Sequence, residues 1–402
     1  MKIIEAGRVV TGDGTTVIEG GAVAMDGERI AFVGTAAEAK SRFPGTTTVA
    51  RKDCSVLPGL IDMHVHVGNW ERRPDAKAIE GNLGHITLIA LKNLQDALSV
   101  GITTIRAVGE PGGLGSALRA GFRKGLVKGP RYITCERAIG ITGGHGHTGT
   151  DLYITADGPW EVRRAVRQNL MDGAQWIKAM ASHRTHHCEY SQEEMDAIVD
   201  ETHRFGKKCC VHAATIPAAA MAIKAGFDSI EHGAFITPEL AKLAAGKGIA
   251  WVPTAYVYMK AAAYLEDLVE KSGQDPDAAQ LREIAYFKES IASYRKNFLD
   301  NWRNGMTICT GTDIVFPEWH ITPIAEEMAT FCELGLTPLE AIRCATQNGA
   351  KVLDAADEFG TLREGLCADM LLVRGDPTKD IGAIRNVREV YRSGEPLFRA
   401  AD

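Results

Sequence analysis

The stretch "LPGLIDMHVHVGNW", residues 57–70, closes an apolar run with two histidines one residue apart. In an extended strand, residues i and i+2 leave the same face. Read as a strand, "GLIDMHVH" therefore projects His64 and His66 together. Neutral imidazole is the commonest metal-ligating side chain, so the pair reads as a two-pronged claw. Two hydrogen-bonded polar residues at a strand end would have the same spacing. The rest of the chain has to decide between these readings.

Working outward, similar apolar runs recur at 102–109, 131–140, 176–182, 208–214, 228–234, 249–256 and 306–313. Helix-like stretches lie between them, among them 86–100, 191–206 and 337–354. The second opens on Ser191 with Glu194 three residues on, a capping-box signature. Strand runs alternating with helices predict an α/β fold, a (β/α)8 TIM barrel, with a doubly wound open sheet as the alternative. The chain ends read differently. "GAVAMDGERIAFVG" (21–34) is a hairpin around Asp26-Gly27, and 367–377 and 387–397 read as further strands. The expected organisation is a small β-sandwich domain from both termini, 1–56 plus 357–402, around a barrel at 57–356.

A barrel carries its chemistry at the C-terminal ends of its strands. His64 and His66 end the first run, Lys178 lies in the fourth, His212 ends the fifth, His232 the sixth and Asp313 the eighth. Together they would form a convergent ring. Histidine nitrogen and carboxylate oxygen suit Zn²⁺, with Mn²⁺, Co²⁺ or Fe²⁺ as alternatives. A lysine ammonium has donors only and cannot ligate a metal as it stands.

These residues carry a resemblance. The "LPGLIDMHVH" opening, "VHAA", "IEHG", "GTD" and the terminal "GTLREGLCADMLLVRGDP" resemble the metal-dependent amidohydrolase superfamily over nearly the whole chain. "WIKAMAS" is similar to the station of its binuclear branch, in particular a subgroup of Xaa-Pro and Xaa-Arg dipeptidases among the imidazolonepropionase-like amidohydrolases. There a fourth-strand lysine is carboxylated and bridges two metals. This chain departs from the subgroup after Ser182, reading "HRTHH" in place of glycines. The resemblance implies two divalent metal ions, zinc foremost. One would be held by His64, His66, Asp313 and carboxylated Lys178, the other by His212, His232 and the same carbamate, with a hydroxide between them. It implies Asp313 as the group that takes the water's proton and returns it to the leaving group.

For substrate contacts, "AIGITGGHGHTGTD" (138–151) resembles the family's "TGGHG" motif and offers His145 and His147. Tyr190, just before the capping box, stands where the dipeptidase subgroup has a substrate-binding tyrosine. His183, Arg184, His186 and His187 sit in the same loop after the fourth strand and are either substrate contacts or solvated. Trp70 reads as pocket wall or barrel packing. Arg106 and Glu110 near the second strand receive no assignment, and His85, His203 and His320 read as structural or surface residues. An insert at 257–303, helical at "YMKAAAYLEDLVEKSG", is expected to cover part of the pocket.

The chain has 402 residues, 45% of them hydrophobic, and a formal net charge of −6. There is no Lys/Arg-rich block, so the reading excludes nucleic-acid and anionic-membrane partners. No signal peptide or transmembrane run is read. The 9 cysteines read as reduced core residues of a cytoplasmic protein. The expected partner is a small-molecule substrate, and a homo-oligomer is expected. The favoured function is hydrolysis of an amide bond in a dipeptide or N-acyl amino acid bearing a free C-terminal carboxylate. Alternatives on the same scaffold are a mononuclear cyclic amidase or deaminase, or a lactone, carbamate or organophosphate hydrolase. A non-enzymatic scaffold is disfavoured because every ligand position is filled.

Overall fold

The computed structural model describes residues 1–68, 82–145, 151–183, 187–313 and 322–401. Trp70, His147, Arg184, His186 and His320 lie outside the described residues.

The N-terminal strands are β1 (Lys2–Val10), β2 (Val17–Glu19), β3 (Gly21–Asp26), β4 (Arg29–Thr35) and β5 (Thr48–Pro58). The middle of the chain gives β6 (Leu60–Val65), β7 (Ile102–Ala107), β8 (Arg131–Thr134), β9 (Ala138–Gly140), β10 (Tyr153–Thr155), β11 (Trp176–Met180), β12 (Lys208–His212), β13 (Ser229–Glu231), β14 (Ala250–Val252) and β15 (Thr307–Ile308). The C-terminal strands are β16 (Met370–Arg374), β17 (Val387–Arg392) and β18 (Glu395–Arg399).

The middle strands pair in parallel, in one sheet ordered β6-β7-β8 and another ordered β10-β9-β11-β12-β13-β14-β15. From β11 onward the order follows the chain without reversal, unlike the switch point of a doubly wound sheet. Backbone bonds also run between the sheets. Met63 N donates to Thr310 O at 2.9 Å, and Gln175 N to Thr134 O at 2.8 Å. Every residue of β6, β7, β11, β13 and β14 is buried. Such strands have both faces covered, which is why they read as unbroken apolar runs rather than as alternation. The helices at Leu83–Ser99 and Gln192–Arg204 match the expected ones, and Ser191 and Glu194 form the capping box.

Three expectations need correction. The third strand, expected over 131–140, is broken into β8 and β9: Glu136 takes φ +52° and its N–H turns back to Thr134 Oγ1 at 2.9 Å. The eighth, expected over 306–313, is regular only at β15, and Asp313 lies beyond it at φ +39°. The helix expected over 337–354 is two, Pro338–Cys344 and Gln347–Val352. The chain leaves the helix at Thr346 so that Asn348 Nδ2 can donate to Ile308 O at 2.8 Å, while Gly349 packs against Ile61, where a Cβ would stand 2.8 Å from Ile61 Cγ2.

The two ends of the chain share one eight-stranded sheet, ordered β18-β17-β16-β5-β1-β3-β4 with β2 on β1. β5 pairs in parallel with β1 and antiparallel with β16, so the strand leading into β6 is clasped by both termini. The insert forms helices Ala255–Ser272 and Ala278–Arg303. Its tyrosines reach the strand ends: Tyr294 Oη donates towards His232 O and Pro253 O at 2.9 and 2.7 Å, and Tyr286 Oη to Ala214 O at 3.0 Å.

Candidate metal centre

β6 delivers His64 near its end and His66 just beyond it, and the segment after β15 brings Asp313 against them. The Nε2 atoms of His64 and His66 each lie 3.5 Å from Asp313 Oδ1. One ligand atom from each of the three residues falls within a 4.8 Å cluster. Gly311, two residues before Asp313, makes the approach possible: a Cβ there would stand 2.7 Å from His64 Cβ and 2.3 Å from Val252 Cγ1. Asp62 ties the same segments together, accepting from His64 N at 3.1 Å and from the Thr312 hydroxyl at 2.6 Å.

One nitrogen of each of these imidazoles is anchored. His66 Nδ1 lies 2.9 Å from Gly109 O. A carbonyl only accepts, so Nδ1 carries the proton and Nε2 presents its lone pair towards Asp313. His232 is turned the other way: its Nδ1 is the nitrogen 3.8 Å from Asp313 Oδ2, and it also lies 2.8 Å from Thr254 Oγ1, whose own proton goes to Pro253 O at 2.7 Å. His232 is thereby left with its lone pair on Nε2. His64 Nδ1 lies 2.7 Å from Glu231 Oε2.

The remaining imidazoles continue outward in a row. Ring centroids are 4.8 Å apart for His64–His232, 4.4 Å for His232–His212, 4.4 Å for His212–His145 and 4.9 Å for His145–His183. The row runs from buried His64 to exposed His183. Lys178 is only 1% exposed, and its Cα pairs in register with Cys210 on β12. Among the sequence-derived candidates, His64, His66, His212, His232, His145 and Asp313 are thus linked by direct contacts. Tyr190 is buried, and its hydroxyl donates to Ile139 O at 2.9 Å, so a substrate contact would require that bond to be exchanged. His203, expected to be a structural or surface residue, is exposed and bonds Asp228 at 2.9 Å, the same carboxylate oxygen that accepts Cys209 N at 2.8 Å at the start of β12.

Electrostatics favour a cation. Burial above all lowers His66, to about 4, and takes His212 and His232 well below the ordinary imidazole range, with Lys178 contributing to each. Neutral imidazole is the ligand form. Burial alone would raise Asp313, but His64, His232 and His66 hold its carboxyl well below the usual range. His64 is raised despite its burial and the Lys178 charge, because Asp313 and Glu231 flank it. Two carboxylates that favour a proton on this imidazole also favour a divalent cation beside it. Donor types, free lone pairs and charge therefore fit a metal.

Asp313 (φ +39°), His232 (φ +64°) and Thr254 (φ +48°) all occupy the left-handed region without being glycine. Each costs on the order of 1–3 kcal/mol, a cost the surrounding structure bears to aim these side chains.

Several supporting residues received no assignment from sequence. Glu110, fully buried, accepts Val67 N at 2.6 Å and Gly68 N at 3.0 Å and so fixes the chain just after His66. Glu327 accepts Ala255 N and Tyr256 N at 2.9 and 2.7 Å, at the start of the insert's first helix. Glu189, from the loop after β11, accepts His145 N at 2.8 Å and holds the Gly-rich loop in place. The one signal available beforehand was a charge inside an apolar run, as in "ITTIRAVG" and "DSIEHGA".

Parallel strands whose C-terminal ends gather histidines and a carboxylate form a candidate metal site of the kind a hydrolase can use. The chain belongs to the amidohydrolase family, whose model matches residues 55–397. Ochratoxinase from Aspergillus niger is 30% identical over 436 aligned positions, covering 99% of this chain and 87% of the relative. Its crystal structure superposes with a TM-score of 0.84 at 26% identity, covering 99% and 96% of the two chains. A Xaa-Pro dipeptidase with methionine bound in its active site gives a TM-score of 0.84 at 28% identity, covering 99% and 100%. A prolidase complexed with N-methylphosphonate-L-proline gives 0.85 at 27%, covering 99% and 100%. The chain is a hydrolase acting on C–N bonds. Among the described residues, no helix is long and apolar enough to cross a membrane.

Proposed function

We propose that this protein is a binuclear metal-dependent hydrolase. Its substrate would be a dipeptide or N-acyl amino acid with a free C-terminal carboxylate. The observation that carries the reading is the gathering of the His64, His66 and His232 imidazoles around Asp313, continued by the ring of His212, with Lys178 buried on β11 beside β12. Ochratoxinase, the Xaa-Pro dipeptidase and the prolidase support the substrate class. The reading includes closure of the two parallel sheets into one (β/α)8 barrel at 57–356, and a β-sandwich domain at 1–56 plus 357–402.

His64, His66 and Asp313 would hold one cation and His212 and His232 the other, with Nζ-carboxylated Lys178 shared between them. Two bound divalent ions, zinc foremost, supply Lewis acidity and lower the pKa of water. A buried ammonium is expensive to desolvate. Carboxylation replaces it with an anion that matches the histidine-rich surroundings. Asp313 takes a proton from the attacking water and delivers it to the leaving nitrogen, general base and then general acid. His145, in ring contact with His212 on one side and His183 on the other, donates to the substrate's carbonyl oxygen or carboxylate. His147 and Tyr190 complete the proposed substrate contacts.

The test is metal content per chain on protein expressed with zinc and bicarbonate, followed by hydrolysis assays on dipeptide and N-acyl amino acid panels. Two metals per chain with turnover on this panel are expected. One metal per chain, with turnover only on cyclic amides or amidines, would replace this reading with the mononuclear one.

A further inference from the structure

The barrel interior holds a charged side chain that the proposed chemistry does not use. Arg106, on β7, is fully buried, yet three of its nitrogens are engaged. Nε donates to Met63 O at 2.7 Å, Nη1 to Ser229 Oγ at 2.9 Å and Nη2 to Glu231 Oε1 at 2.7 Å. The guanidinium lies over the Trp176 ring, 4.6 Å from its centroid. Ser229 Oγ passes its own proton to Glu231 Oε1 at 2.7 Å. Glu231 Oε1 is thereby occupied by two donors, and Oε2 faces His64 Nδ1 at 2.7 Å.

The consequence for His64 is specific. An ionised carboxylate has no proton to give, so the hydrogen on this bond belongs to His64 Nδ1. Nε2, the nitrogen 3.5 Å from Asp313, is then the one that can carry a lone pair. Arg106 acts at two points: it grips the carbonyl of Met63, immediately before His64, and it fixes the carboxylate that orients the ring. A lysine could supply the charge but not three bonds in a fixed fork.

We propose that Arg106 and Glu231 are positioning residues that set the tautomer and tilt of His64 and thereby the affinity of the inner cation site. The second half rests on the reading of His64 as a ligand given above; the first half does not.

Glu231→Gln separates the two. The carboxamide oxygen can still accept from Arg106 and Ser229, and its NH2 then donates to His64 Nδ1. The imidazole hydrogen is forced onto Nε2, the nitrogen facing Asp313. Long-range ¹H–¹⁵N spectra of metal-free, full-length, ¹⁵N-histidine protein, taken above the imidazole titration range, read the tautomer. Competition with a chelator reads Co²⁺ affinity. The expected result is Nδ1–H in the wild type, Nε2–H in the variant, and Co²⁺ binding weakened by roughly 10–100-fold. An unmoved tautomer overturns the positioning role. A moved tautomer with wild-type Co²⁺ affinity overturns the link to the cation and counts against His64 as a ligand. Arg106→Lys carries the test if Glu231→Gln does not fold. Shifted His64 resonances with weaker Co²⁺ binding support the clamp, and wild-type resonances with wild-type affinity overturn it.

Discussion

Lys178 is the residue on which the two-metal reading turns. It is 1% exposed, and β11 places it in register beside β12, whose last residue is His212. Its positive charge contributes to lowering His66, His212 and His232, so as an ammonium it opposes further cations nearby. As a carbamate it would do the reverse. Lys178→Ala is therefore expected to lose most bound metal and most activity. Short carboxylic acids with bicarbonate should restore part of both by occupying the vacated volume with an anion. Elemental analysis and turnover measured on the same preparation check this, and full activity without rescue would remove Lys178 from the site. The ligand candidates were legible because each stands in or just beyond an apolar strand run, where a polar residue is conspicuous. Arg106 and Glu231 stand in the same kind of run but meet across 125 positions of sequence. Nothing in a single strand's pattern says which interior charges will be partners, since Arg106 and Glu231 stand on strands of two different parallel sheets. Glu110 and Glu327 were illegible for a related reason: their partners are backbone N–H groups, which carry no sequence signature.

At the scale of elements, short strands and well-anchored helices divide the labour. β13, β14 and β15 have only two or three residues each, so the helices outside have to hold them in place. The helices Gly158–Asp172 and Gln192–Arg204 are joined by Glu201, which accepts from Arg163 Nη1 at 3.0 Å, Arg167 Nε at 2.6 Å and Arg204 Nη2 at 2.6 Å. The Arg167 bond leads in lowering this carboxyl to about 2. A depressed folded-state pKa stabilises fully above the unfolded value of about 4.3 and loses its contribution as pH falls towards 2. Glu201→Gln should cost about 1–2 kcal/mol at neutral pH, a modest figure because the arginines are partly open to solvent. The gap from wild type should narrow as pH falls below about 4. Urea unfolding at neutral and acid pH measures both, and a gap that stays constant with pH would refute the carboxylate's role. Capping chemistry explains why the helix after Ser191 was legible. Tertiary demands overrode local pattern in the helix broken at Thr346 and in the strand broken at Glu136, where close packing at Gly349 and a left-handed turn serve neighbouring elements.

At the scale of the molecule, the strands that frame the segment leading to His64 and His66 come from opposite ends of the chain. Glu389 on β17 is 1% exposed and joins them. Its Oε1 accepts from Arg51 Nε and Nη2, on β5, at 2.8 and 2.5 Å, and its Oε2 accepts the Tyr391 hydroxyl at 2.6 Å. Lys2 Nζ reaches the same hydroxyl at 3.1 Å, and Arg399 Nη2 lies 3.6 Å from Oε2. Burial would raise this carboxyl, but the Tyr391 and Arg51 bonds outweigh it and hold Glu389 below its ordinary range. The sign follows as for Glu201: the contribution is complete above the unfolded pKa of about 4.3 and disappears as pH falls below it. β5 runs directly into β6 and its histidines, so loosening the clasp should be felt at the site end of the chain as well. Glu389→Gln leaves Arg51 without its anionic partner and is expected to cost about 1–3 kcal/mol. In a chain of this length that is a drop in Tm of about 1–3 °C at neutral pH, shrinking towards zero in acid. If both termini and the parallel sheets unfold as one unit, the variant melts in a single shifted transition. If the terminal sheet is a separate unit, an early transition splits off while the main one stays in place. An unchanged melting curve at neutral pH would mean that the clasp contributes nothing to holding the two ends together.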